Sequence, residues 1–211
     1  MSGSTGVRTV LTVTALALIT GCQADAGVTL HGDDDEHRMS LQSGGGSFAA
    51  SAEDRAPGGT WTTTFGSFLP CIANGDGPVV IDGVDWNSDK NLEPIAVRVF
   101  LRSFDDSSSD PINSMRGTPL QNGPAALSGS IQEGVEDFRV ERSCAESADN
   151  NGQTEELLVA VKADEGGAHV GDLTVRYTTP DGRKFGVVSD WQMYICGSEA
   201  PENLCDGDPE T

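Results

Sequence analysis

Ile95-Ala96-Val97-Arg98-Val99-Phe100-Leu101-Arg102 sets Ile95, Val97, Val99 and Leu101 on one side of an extended chain. A period of two sends alternate side chains to opposite faces, so one set enters a core while the other faces solvent. Leu157, Val159 and Val161 repeat the pattern, as do Leu173, Val175 and Tyr177. Thr179-Pro180-Asp181-Gly182 supplies turn chemistry; Phe185 and Val187 then resume the alternation, and Trp191, Met193 and Ile195 make a last strand. Val79-Val80-Ile81 and Val84-Asp85-Trp86 change parity across Gly83, which predicts a β-bulge there. Strands are expected near 61–66, 78–86, 95–103, 135–141, 157–163, 172–179, 184–189 and 191–196, with a long polar loop over 105–130 and at most one helical turn at Gln132–Glu136. Many short strands with turns between them imply an antiparallel sandwich or barrel. Strand count and spacing favour an all-β, immunoglobulin-like antiparallel β-sandwich over residues 60–197, a length that suits one core. No Cys…Trp…Cys signature accompanies it, and no internal repeat is visible.

Residues 22–59 read differently. Large apolar side chains are scarce, and Asp33-Asp34-Asp35-Glu36, Gly44-Gly45-Gly46 and Ala56-Pro57-Gly58-Gly59 interrupt them. Such a stretch cannot bury enough apolar surface to offset the entropy of ordering, so a disordered N-terminal linker is expected. Its r.m.s. reach would be on the order of 30–35 Å. The four-acid run reads as a solvated, self-repelling segment rather than a metal site. Residues 198–211 form an acidic C-terminal tail.

Ahead of that stretch, Arg8 precedes Val10–Ile19, an apolar run broken only by Thr12 and Thr14. A membrane-spanning helix needs about 20 apolar residues, so this run fits the h-region of an export signal instead. It ends in Leu18-Ile19-Thr20-Gly21-Cys22. That sequence resembles the lipobox of bacterial lipoproteins. The resemblance covers this segment alone. It implies that 1–21 is a signal peptide and that Cys22 is lipidated and becomes the new amino terminus. The protein would then be exported and lipid-anchored on the extracytoplasmic side of the cell membrane. Ala24-Asp25-Ala26 offers a rival, an A-x-A cleavage site that would release a soluble secreted protein.

The chain carries 33 acidic and 13 basic side chains, net −20. Removing the signal peptide takes away Arg8 alone, leaving 12 − 33 = −21. Phosphates would be repelled, which argues against nucleic acid and against adhesion to anionic lipid through the domain surface. Membrane contact, if made, should be made by lipid. Four cysteines remain after Cys22: Cys71, Cys144, Cys196 and Cys205. In an oxidising compartment they suggest two disulfides. Cys71–Cys196 with Cys144–Cys205 is the expected pairing, because Cys71 follows one terminal strand and Cys196 ends the other. In an immunoglobulin-like sandwich such strands can lie side by side and parallel. The main alternative is Cys71–Cys144 with Cys196–Cys205.

Chemistry is thinly marked. His169 is the lone histidine of the predicted domain, no nucleophile turn such as G-x-S-x-G occurs, and a solvated loop histidine is the expectation. Asp85, Asn87, Asp89, Asn91 and Glu93 alternate like the early half of a calcium-binding EF-hand loop. Lys90 and Ala96 stand where that loop needs glycine and glutamate, so a plain polar connection is preferred and no cofactor is expected. Trp61, Trp86 and Trp191 have core parity. The favoured function is a non-catalytic envelope lipoprotein whose sandwich binds an envelope protein or a small ligand. The alternative is an extracytoplasmic hydrolase using paired carboxylates, which would show as facing acids in a cleft.

Overall fold

A computed structural model describes residues 28–32, 39–43, 46–50, 59–74, 77–105, 110–121, 127–148, 153–200 and 205. Its strands are β1 (Val28–Gly32), β2 (Met39–Gln42), β3 (Ser47–Ala50), β4 (Trp61–Ile72), β5 (Val79–Asn87), β6 (Ala96–Asp105) and β7 (Ser114–Arg116). They continue as β8 (Ser130–Glu133), β9 (Phe138–Val140), β10 (Gln153–Ala163), β11 (Ala168–Thr178), β12 (Lys184–Ser189) and β13 (Gln192–Ile195). Among the described residues one short helix, α1 (Cys144–Ala148), interrupts them.

Two sheets, mostly antiparallel, pack face to face. In the first, β9 pairs β5 and β5 pairs β11; the other edge of β11 holds β12 and β13 in succession. In the second, β8, β6, β10 and β4 lie in order, with β7 and β2 sharing the far edge of β4. The alternating side chains named in the sequence meet between the sheets: Leu101, Leu157, Val159, Val161, Leu173, Val175, Tyr177, Val187, Met193 and Ile195 belong to one buried cluster. The parity change in β5 appears as a register shift between Ile81 and Gly83 against β11, as predicted.

The N-terminal stretch departs from the expectation of a disordered linker. β1 adds parallel to β12, β2 adds antiparallel to β4, and β3 adds parallel to β13. The chain thus alternates between the sheets, and Met39 and Leu41 are buried in the core. Phe48 stacks on Trp191 with ring centroids 4.3 Å apart, and Trp191 Nε1 donates to Ser43 O at 2.8 Å. The sandwich therefore includes the strands from Val28 on and does not begin at residue 60. The acid run 33–36 and Cys22 lie outside the described residues.

The disulfides are Cys71–Cys144 and Cys196–Cys205, which corrects the expected Cys71–Cys196 and Cys144–Cys205 pairing. The reason is topological. The strand beside the last one is β3, not the β4 strand that carries Cys71. β4 lies in the other sheet and runs the opposite way along the sandwich, so Cys71 and Cys196 sit at opposite ends. At its end, Ile72 bridges Ser143, which delivers Cys144 to Cys71.

The second sheet is covered on its outer side as well. Phe100, Leu158 and Ala160, on the faces of β6 and β10 away from the main core, form a smaller cluster with Leu127, against which Ile112, Met115 and Ile131 pack. The polar connection after β6 supplies most of that cover. Under it lies an ion pair, Arg102 Nη1 to Glu156 Oε2 at 2.7 Å, with both side chains 1% exposed or less. Glu156 Oε1 also accepts from Ser67 N and Ile112 N, each at 2.8 Å. The β4 register shifts at Gly66-Ser67, where Ser67 has a φ of 66°, and this bulge aims its N–H at the carboxylate.

Candidate functional site

The outer face of the first sheet carries its polar groups in a connected row. β11 places His169 and Asp172 there, β13 places Gln192 and Tyr194, and the end of β5 places Asn87. The backbone N–H of Asp89 donates to His169 Nδ1 at 3.1 Å. Nδ1 is thereby an acceptor, so Nε2 carries the proton and donates to Gln192 Oε1 at 2.7 Å. Gln192 Nε2 donates in turn to Asp172 Oδ1 at 3.3 Å, and Asn87 Nδ2 donates to Asp172 Oδ2 at 3.1 Å. Tyr194 stacks on the imidazole at 4.5 Å. Gly171 permits the arrangement, since a Cβ there would stand 2.3 Å from Gln192 Oε1. Asp172 holds a left-handed φ of 47°, which turns its carboxylate toward the amides.

This row includes part of the calcium-like loop. The structure gives its side chains to separate partners. Asp85 Oδ2 meets Arg176 Nε at 2.6 Å, Asn87 serves Asp172, and Asp89 Oδ1 accepts from Asn91 N at 3.0 Å. Among the described residues no three His, Cys, Asp or Glu side chains converge as metal ligands. His169 corrects its expectation. It lies on a strand, partly buried with both ring nitrogens engaged, instead of being a solvated loop side chain. Trp86 corrects another: it is 38% exposed, whereas Trp61 and Trp191 pack against the core.

At the opposite end of the sandwich an open groove of about 410 Å³ is lined by Phe138, Arg139, Glu141, Arg142, Glu146 and Gln153, among others. Its acids do not form a matched acid and base. A backbone hydrogen bond from Ser143, joined by the Ser143 hydroxyl, holds the Glu146 carboxyl below the usual glutamate range. Ser143 N donates to Glu146 Oε2 at 2.9 Å, and Glu146 N donates back to Ser143 Oγ at 3.2 Å. This is the reciprocal capping of a helix start, here α1. Arg142 donates to Gln153 O at 2.8 Å, to the Thr154 hydroxyl and to Glu146 O at 2.8 Å, tying α1 to β10. Sequence reading passed over this cap, although Ser143-Cys144-Ala145-Glu146 carries its S-x-x-E signature. It also passed over Arg102 and Glu156, for which no sequence signal exists until their strands are paired.

The pattern at both places is one of donors and acceptors spent on each other, which fixes shape and leaves no activated nucleophile in view among the described residues. Among those residues no helix is long and apolar enough to cross a membrane. No protein-family model matches the chain, and neither a curated protein nor a solved structure matches it.

Proposed function

We propose that this is a non-catalytic lipoprotein of a bacterial cell envelope, anchored by lipid on Cys22, whose immunoglobulin-like sandwich binds a partner on the extracytoplasmic side. The observation that carries the reading joins sequence and structure. An export-type segment ends in a lipobox-like cysteine, and the other four cysteines are consumed in two disulfides, leaving Cys22 as the one outside those bonds. Disulfides persist in oxidising compartments. Parallel pairing of β3 with the last strand β13 is the relation that an immunoglobulin-like sandwich gives its terminal strands. The candidate binding face is the polar outer side of the first sheet, with His169 in β11 and Gln192 and Tyr194 in β13. A binding role suits it better than hydrolysis, because His169 offers no free ring nitrogen for proton transfer.

Cys22→Ala tests the anchor. The wild-type protein is expected in the membrane fraction, since two or more acyl chains hold a protein stably. The variant is expected in the soluble envelope fraction or the medium. Unchanged fractionation, or a wild-type mature terminus at Gly27, overturns lipidation and supports ordinary secretion. Pull-down from membranes with the acylated protein tests the binding role; a His169→Ala, Tyr194→Ala variant should lose the captured partner.

A further inference from the structure

Resting on that reading of Cys22, we propose that the sandwich is held within roughly 20 Å of the bilayer with a defined end down: the end bearing the Thr179–Lys184 turn faces the lipid headgroups, and the end bearing Cys196–Cys205 faces away. The tether is the first argument. β1 begins at Val28, so six residue steps separate it from Cys22. Fully extended chain covers at most about 3.3–3.6 Å per residue, so those steps span no more than roughly 20 Å. A linker running to residue 59 would have allowed the domain to float well clear of the surface.

Register supplies the second argument. Val28 lies beside Lys184, the first residue of β12, and Thr178 pairs with Lys184 across the turn. The chain therefore enters the sandwich at that end and runs away from it along β12. β11 continues for nine residues from Thr178 back to His169, or about 30 Å of strand. The His169–Gln192 row and its Tyr194 neighbour are thus carried to the far end, where a partner can reach them.

The lipid supplies the attachment; the short tether and the end at which the chain enters supply the orientation.

The test uses full-length acylated protein in vesicles of phosphatidylethanolamine and phosphatidylglycerol with a quencher on the lipid headgroups. Mass spectrometry of the amino-terminal peptide first measures acylation at Cys22. A fluorophore is then placed through Pro180→Cys at the entry end, or through Lys90→Cys at the far end. The Pro180→Cys label should lose most of its emission and the Lys90→Cys label should keep it. A ten-residue Gly-Ser insertion between Ala26 and Gly27 should remove most of the difference. Unlabelled protein on a supported bilayer, measured by neutron reflectometry, should show protein density starting within roughly 20 Å of the headgroups. Acylated protein whose two labels are quenched equally, or whose density begins beyond that distance, overturns the orientation and leaves the anchor standing. Absence of the acyl mass overturns the anchor, and the orientation falls with it.

Discussion

Arg102 and Glu156 show how a single pair can hold two layers together. Their strands place them directly opposite, on the face of β6 and β10 that points away from the main core. Arg102 Nε reaches Ser128 O at 2.9 Å, Nη1 reaches Asp110 O at 3.1 Å, and the guanidinium lies 4.1 Å from the Phe104 ring centroid. Each end of the described connection between β6 and β8 is thus held by the same side chain. Burying an ion pair costs desolvation, and only complete hydrogen bonding offsets it. Here Glu156 Oε1 has two backbone donors and Oε2 has the arginine, so the offset is in place. Arg102→Met should destabilise the domain by about 3–5 kcal/mol, because a buried carboxylate loses its counter-charge. Arg102→Met with Glu156→Leu should cost less than the sum of the two single changes. Recovery should stay incomplete, because Ser67 N–H and Ile112 N–H lose their acceptor, at about 1–3 kcal/mol for each group left unsatisfied. Urea denaturation of the four proteins measures the coupling; additive losses would show that the pair does not act as a unit.

Short N-terminal strands decide where the domain begins. β2 reads Met-Ser-Leu-Gln and buries Met39 and Leu41, both 2% exposed or less, against the main core. Leu41→Ala should therefore cost about 2–5 kcal/mol, the usual range for emptying a buried leucine site. A true linker position would show no change, so a denaturation midpoint shared with wild type would move the domain boundary back toward residue 60. Sequence made eight of the ten later strands legible, most clearly where three or more apolar residues alternate, as in Ile95–Leu101 and Leu173–Tyr177; β7 and β8, with one large apolar residue each, lie where a polar loop and a helical turn are expected. Two alternating residues in β2, set between an acidic run and a glycine run, do not rise above that background. β1 and β3 are five and four residues long, and parallel addition to strands more than 140 positions away leaves no local mark. The same non-locality explains the disulfide error. The immunoglobulin-like order placed the strand before Cys71 beside the last strand, but β3 takes that place and β4 lies in the other sheet. The candidate site shares this property: Asn87, His169, Asp172 and Gln192 come from three strands, and only the pairing register brings them into one row.

At the scale of the whole molecule two features set the response to solution conditions: a net charge of −20 and a domain cross-linked by two disulfides. Self-repulsion opposes the compact state, and salt screens it, with a Debye length of about 30 Å at 0.01 M and 10 Å at 0.1 M. The melting temperature should rise between those two sodium chloride concentrations. Calcium would raise it too, by the same screening, so a calcium effect alone says nothing about a site. The informative comparison holds ionic strength equal. Asp85, Asn87 and Asp89 already serve Arg176, Asp172 and Asn91, so binding calcium at the loop would first have to break those bonds. Calcium chloride and sodium chloride at matched ionic strength should therefore give nearly the same melting temperature, by differential scanning fluorimetry, and chelator should change it little. A larger rise with calcium that Asp89→Ala abolishes would show that the loop reorganises around the ion and that its alternating oxygens are a calcium site after all.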